Sequence, residues 1–375
     1  MLTAAVAREI PFFPYPQVFL SEENELVNIF RSVGRRGAFI MQEDVRRFEE
    51  NLARYLVAYR AIGVGNATDG LWIALRAAGL RPGGEVIFSS HTMVATAAAI
   101  HFAGGIPVPV DCGPDHLIDP AAIEAAITPN TAAILPTQLN GRTADMDALM
   151  RIAARHNLLV IEDAAQALGS RFGGRAAGTF GAAAAISFFP AKLLGCLGDG
   201  GAVIANDSIV AARADALHDH GRGPDGDVTG WGVNSRLDNL QAAILDHRLT
   251  RYGQVIEHRR MLAARYRATL GDLEEIVLPP GPDSDFDHFD VYQNYEIEAE
   301  RRDALREHLR ARGIGTLLPW GGKAVHQWPA LGFGGTHLPA TERLFERVLL
   351  LPMHAWLTFD EVDTIAASIR LFYRR

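Results

Sequence analysis

The chain has 375 residues, enough to bury a large core and to divide into two units, and its 48% hydrophobic and 21% charged residues exclude extensive disorder. A formal net charge of -8, with the basic residues scattered, disfavours nucleic acid as the main partner while leaving room for a local anion site. Two cysteines, Cys112 and Cys196, cannot build a disulfide framework or a thiolate metal cage; no metal site is expected, and the setting is read as reducing and cytoplasmic.

The opening MLTAAVAREIPFFPYP lacks a basic stretch followed by an apolar one, so no cleaved signal is expected, and its prolines predict an extended arm to about Pro16. The most apolar windows fall short of the roughly 20 residues a membrane helix needs. In EDVRRFEENLARYL, Val45, Phe48, Leu52 and Tyr55 recur at spacings of three and four, which predicts a helix packing by one face. From Ala61 to Asp111 the chain reads as strand, helix, strand, helix, strand, and the alternation continues through TAAILP, the helix DMDALMRIAARHN, LLVIED, AAAAISFF and GGAVIAN. That order predicts an α/β fold, a mixed, mostly parallel sheet with helices on both faces, over roughly residues 60–205. The stretch SRLDNLQAAILDHRLTRYGQVIEHRRMLAARYRATL predicts one long helical run, which sets a boundary near residue 250. A large unit with its N-terminal arm (1–250) and a smaller C-terminal α+β unit (251–375) are expected, the latter with YQNYEIEA as strand, RRDALREHLRARG as a helix closed by Gly313, and a final helix.

Two apolar runs, LLVI (158–161) and AAAAISFF (182–189), are each followed by a polar residue with chemical potential, Asp163 and Lys192. If the runs are neighbouring buried strands, both side chains emerge at strand carboxyl ends, where such sheets bind ligands. Asp163 precedes AAQALG, which starts like a helix, so an N-cap role is an equal alternative. Lys192, in FFPAKLLG, has apolar neighbours that solvate an ammonium poorly. In GNATDGLWIAL, Thr68 or Asp69 is placed to cap a helix whose free amides and dipole favour phosphate. Gly63 and Gly65 complete neither a dinucleotide fingerprint nor a P-loop. A carboxylate, a lysine and a phosphate cradle on one sheet edge are the three things that hold pyridoxal phosphate.

These segments resemble the sugar aminotransferases of the DegT/DnrJ/EryC1/StrS group, pyridoxal-phosphate enzymes of aspartate-aminotransferase fold. The resemblance covers about residues 10 to 370 and is carried above all by GVGNATDGLWIALRAAGL, VIEDAAQALGSRFGG, SFFPAKLLGCLGDGGAVI and NSRLDNLQAAIL. It implies that Lys192 bonds the cofactor and then shuttles the proton, and that Asp163 keeps the pyridine nitrogen protonated. It further implies that Gln166 lies near the ring and its O3', that the backbone amides of Thr68 and Asp69 with the Ser187 hydroxyl hold the phosphate, and that Asn234 reaches the phosphate of a neighbouring subunit. A homodimer with shared active sites follows from that last role. The implied reaction moves an amino group from glutamate, released as 2-oxoglutarate, through pyridoxamine 5'-phosphate to a nucleotide-linked keto sugar, in amino-sugar biosynthesis. A free keto sugar or cyclitol as acceptor, or a regulatory relative without catalysis, are the alternatives. Dehydratases of the group are disfavoured by Lys192 and by the small number of cysteines.

Three positions depart from the group's pattern. Met93 stands where an aromatic ring usually covers the cofactor, Ala67 replaces a glycine, and Asn140 replaces an aromatic residue before Gly141. Near the C-terminus, LLPWGGKAVHQWPAL occupies the place of a His-Tyr-Pro type segment, which makes Trp320, Lys323 and His326 candidates for the substrate pocket. Trp can stack on a sugar or base and Lys can meet a pyrophosphate; a buried aromatic patch between the units is the alternative.

Overall fold

The structure is a computed structural model that describes residues 9–374, so the start of the expected arm and Arg375 lie outside the described residues. At its centre are seven strands: β1 (Arg60–Val64), β2 (Glu85–Ser89), β3 (Ile106–Val110), β4 (Thr131–Leu135), β5 (Leu159–Asp163), β6 (Ala183–Ser187) and β7 (Gly201–Ala205). They lie in the order β1-β7-β6-β5-β4-β2-β3. β7 runs antiparallel to both its neighbours, and the remaining pairs are parallel. Strands covered on both faces must be apolar nearly throughout, and the Ala-rich β6 is buried from Ala183 to Ile186. One face of the sheet packs residues such as Ile73, Ile100 and Val203, the other Phe48, Phe188 and Ile204. The helix Glu43–Leu56 contributes Phe48 and Leu52 to the second face, as its spacing predicts.

The two apolar runs are neighbours: β5 and β6 pair in parallel, with Asp163 opposite Ala185. No helix follows Asp163, contrary to expectation; residues 164–170 run as turns and coil. The reason is local. Asp163 Oδ1 accepts the amide of Ala165 at 3.2 Å, an Asx-type turn that competes with a helical start.

The expected long helix is two helices, Asn239–Leu249 and Tyr252–Leu270, broken at Thr250 and Arg251. Beyond them a second, antiparallel sheet joins β8 (Ile276–Val277), β9 (Tyr295–Ala299) and β10 (Val348–Leu351). It packs on Leu262, Tyr266, Leu305 and Ile365. The described part of the N-terminal arm joins this C-terminal core: Ile10 pairs with Ile314, and Phe13 packs on His354 and Trp356. Two parts of the chain distant in sequence thereby wall the carboxyl ends of β1, β4, β5 and β6.

Candidate active site

A cavity of about 640 Å³ opens at those strand ends. On one side the helix Ala67–Ala77 starts directly after β1. Its cap is Asn66, not Thr68 or Asp69: Asn66 is extended, and its Oδ1 accepts the amide of Asp69 at 2.9 Å. Thr68 and Asp69 already lie within the first helical turn and so cannot cap it. This corrects the expected phosphate cradle, because the Asp69 amide is occupied. The Asp69 carboxylate is also engaged, by Ser235 Oγ at 2.6 Å and Asn66 Nδ2 at 3.1 Å. The amides of Ala67 and Thr68 have no acceptor within the helix, and both residues line the cavity. Close approach to the sheet depends on Gly201, where a Cβ would fall 2.7 Å from the Asn66 carbonyl carbon.

Asp163 ends β5 on the cavity floor, the residue 4% exposed. Oδ2 accepts from Thr96 Oγ1 at 2.7 Å. Burial pushes its pKa up, against the pull of Thr96, the Ala165 amide and the positive charge of Lys192. Lys192 lies in the turn that follows β6, where its amide bonds the Phe189 carbonyl at 2.8 Å. Burial pushes its ammonium down to about 8, with Asp163 opposing. An amine drawn toward neutrality facing a fixed carboxylate is the arrangement a nucleophilic, proton-carrying lysine requires.

Gln166 is held by its acceptor end. Its Oε1 receives the Asn140 amide at 2.9 Å and Asn294 Nδ2 at 3.2 Å, which leaves the Nε2 donor end free of that clamp. Asn294 Nδ2 also reaches Asn140 Oδ1 at 2.8 Å. Asn140 has φ 55°, a left-handed conformation that asparagine tolerates better than an aromatic residue does. Gln293 clasps the lysine turn from both sides, accepting from the Leu193 amide at 2.8 Å and donating to the Ala191 carbonyl at 2.9 Å. Gln293 and Asn294 escaped the sequence reading. Nothing in YQNYEIEA marks them, since both act on partners 100 or more residues away.

Ser187 and Met93 line the cavity as well, Met93 being 51% exposed. Trp320 lines it from the C-terminal side, in a left-handed backbone (φ 47°), with its ring 5.4 Å from His91 and 6.3 Å from Phe345. The other two substrate-pocket candidates do not line the cavity. Lys323 is exposed, with its ammonium 5.0 Å from the Trp328 ring. His326 is buried and turned to Ser90 Oγ at 2.7 Å and Glu342 at 3.3 Å, a tie between the C-terminal segment and the end of β2. Asn234 is exposed and does not line this chain's cavity; it is bridged to Asp219 and lies three residues from Trp231, which is 98% exposed.

A helix start that favours an anion, a hydroxyl, a carboxylate and an amine thus converge on one enclosed space. This donor set fits a phosphorylated pyridine aldehyde, and the fold and site together define a class, the pyridoxal-phosphate-dependent transferases. Over residues 20–370 the sequence matches the model of the DegT/DnrJ/EryC1/StrS aminotransferase family, and the chain belongs to that family. It is 38% identical to the dTDP-3-amino-3,4,6-trideoxy-alpha-D-glucose transaminase of Streptomyces venezuelae, over 100% of this chain and 99% of the relative. It is 39% identical to a "pleiotropic regulatory protein" of Geobacillus stearothermophilus, over 97% and 99% of the two chains. Among solved structures, NtdA of Bacillus subtilis with bound cofactor PMP superposes with a TM-score of 0.91 at 30% identity, covering 100% of this chain and 87% of that one.

Proposed function

We propose that the protein binds pyridoxal 5'-phosphate in this cavity and, as a cytoplasmic homodimer, transfers the amino group of glutamate to a nucleotide-linked keto sugar. The observation that carries the reading is Lys192, pushed down to about 8, sharing a cavity with the buried Asp163 carboxylate. When bound, the cofactor would supply an electron sink for the electron pair left behind when the carbon bearing nitrogen loses its proton. Lys192 Nζ, with its pKa pushed down to about 8, would hold the cofactor and would take and return that proton. The Asp163 carboxylate receives the ring N–H. Gln166, clamped by its Oε1, offers Nε2 to the ring oxygen. The amides of Ala67 and Thr68, with Ser187 Oγ, hold the phosphate, and Asp69 acts indirectly by anchoring the helix start to Ser235.

Met93 covers one face of the ring, and Trp320 presents an aromatic surface to the sugar or its nucleotide. Asn234 and Trp231 project from the same exposed loop, which suits a contribution to the site of a second copy. The transaminase relative makes thymidine-diphosphate keto sugars the first acceptors to try. The regulatory relative gives a second reading, a protein that binds without transamination, and the engaged Lys192 and Asp163 favour the enzyme. Converting the holoenzyme to its aminated form with glutamate should bleach the visible absorbance of the bound cofactor, and the correct keto sugar should restore it. Lys192→Ala should abolish both the absorbance change and turnover; retained transamination would sink the assignment.

A further inference from the structure

Beside Asp163, the amino-transfer roles above leave three threonine hydroxyls unused, and Thr92 and Thr137 line the same cavity. Thr92 and Thr96 lie at the start of the helix Val94–Phe102, and Thr137 lies just beyond β4; they are 1%, 0% and 5% exposed. Thr96 Oγ1 donates to Asp163 Oδ2 at 2.7 Å. The Thr92 hydroxyl is 2.9 Å from that of Thr96 and 2.9 Å from that of Thr137. The direction of the chain is forced from the carboxylate end. An ionised carboxylate only accepts, so Thr96 spends its single proton on Asp163 and must accept from Thr92, which in turn must accept from Thr137. Each hydroxyl polarises the next, so the bond that reaches the carboxylate is stronger than an isolated one. Buried hydroxyls cost free energy unless bonded. Here the three hydroxyls lead to one anion, and they come from two segments, the start of the helix Val94–Phe102 and the stretch just beyond β4, which meet at the strand carboxyl ends.

We propose that Thr137, Thr92 and Thr96 form a one-way hydroxyl chain that keeps Asp163 ionised and fixed in orientation toward the cofactor's ring nitrogen, with Thr96 and Thr92 as positioning residues. The catalytic consequence rests on the pyridoxal-phosphate reading, whereas the effect on the Asp163 carboxyl does not. Burial raises the pKa of that carboxyl, and the bond from Thr96 is the foremost influence opposing it. The other charged side chains on the cavity wall, Lys192 and Asp199, are the same in every variant compared below.

The test is carbon-13 NMR titration of the aspartate-labelled apoprotein, with Asp163→Asn used only to assign the signal. Thr96→Val should move the Asp163 midpoint upward by about one to two pH units, the loss of one hydrogen bond to a charged group. Thr92→Val should move it in the same direction by less, and Thr96→Ser should leave it near the native value. In the loaded enzyme, Thr96→Val should lower kcat about tenfold with the KM for glutamate within about twofold, and Thr96→Ser should restore it. A native midpoint in both valine variants overturns the proposal, as does a lower melting temperature with midpoint and kcat unchanged. Should Thr96→Val fail to fold, Thr92→Val decides alone, because it keeps the hydroxyl that touches the carboxylate. A shifted midpoint in a protein that never takes up pyridoxal phosphate supports the chain and refutes the cofactor reading instead.

Discussion

Glu162 and Asp163 are consecutive carboxylates at the end of β5, both buried, and strand alternation sends them to opposite sides of the sheet. Glu162 accepts four hydrogen bonds, from the amides of Gly178 (2.8 Å), Phe180 (2.7 Å) and Gly181 (3.0 Å) and from Gln138 Nε2 (2.8 Å). Asp163 accepts two, from Thr96 and the Ala165 amide, and borders a cavity. Burial pushes both pKa values up, so burial does not distinguish them. The difference lies in capacity left over. A carboxylate whose acceptor sites are filled by its own chain ties loops together, whereas one with sites to spare beside a cavity can serve a ligand.

The sharpest way to break this distinction is to remove each acid in turn. Asp163→Asn should lower turnover by on the order of a hundredfold or more, since an amide cannot match a carboxylate at a cationic ring nitrogen, while the apoprotein's urea midpoint stays near native. Glu162→Ala should do the opposite first, costing at least about 3 kcal/mol of apoprotein stability by leaving three buried amides and Gln138 without their acceptor. If Asp163→Asn unfolds the protein and Glu162→Ala leaves it stable, the contrast between the two faces is wrong.

A second test lies where the two sheets meet. His116 bonds Glu296 at 2.9 Å and Glu298 at 3.3 Å, Arg347 bonds Glu298 at 3.1 Å, and His91 lies 3.4 Å from Glu296. Burial alone would lower the pKa of His116, but the two glutamates raise it to about 10. Burial would raise Glu296, but the charges of His91 and His116 hold it well below the usual carboxylate range. Glu298 is lowered as well, first by its bond to His116. A histidine whose folded pKa is raised contributes fully below its ordinary value of 6.5 and loses that contribution as pH climbs to about 10. The glutamates contribute above their ordinary 4.5 and lose it as pH falls. The cluster should therefore stabilise most between pH 4.5 and 6.5. Between pH 6.5 and 9.5 the wild-type apoprotein should lose about 3–4 kcal/mol more than His116→Gln, with the absorbance of bound cofactor unaltered. An absorbance change on mutating this cluster would blur the boundary between tie and working group.

Asp163 and Lys192 were legible in the sequence because each follows an apolar run whose length and β-branched or alanine content mark a buried strand. The sheet between residues 60 and 205 was legible for the same reason. What failed depended on where the backbone turns. Asn66, Thr68 and Asp69 can all cap a helix, and the exit angle from β1 selects Asn66. AAQALG has helical composition, and one hydrogen bond from Ala165 to Asp163 diverts it. Lys323 and His326 are expected in the substrate pocket with Trp320 from the place their segment takes in the family's pattern, but Trp320, Gly321 and Gly322 all take positive φ, and the two side chains do not line the cavity. Gln293 and Asn294 clamp the lysine turn and Gln166 across the fold, and such long-range partners leave no periodic trace.

The smallest expected effect concerns the open side of the Asp163 cavity, which Met93 lines at the position where the sequence resemblance leads one to expect an aromatic ring. A thioether packs on an aromatic face with less contact area and three rotatable bonds to immobilise, so it should hold the cofactor less firmly than a ring does. Met93→Phe should tighten cofactor binding by roughly three- to tenfold, the equivalent of about 0.5–1.5 kcal/mol for an aromatic pair. Because Met93 is half exposed and forms no part of the sheet core, the same change should leave the urea midpoint of the apoprotein where it was. Equilibrium dialysis against pyridoxal phosphate reads the first quantity and unfolding of the apoprotein the second. An unchanged dissociation constant would mean that retention is set by the donors on the cavity floor, Asp163 and Lys192 together with the helix start, and that the methionine covers the ring without binding it.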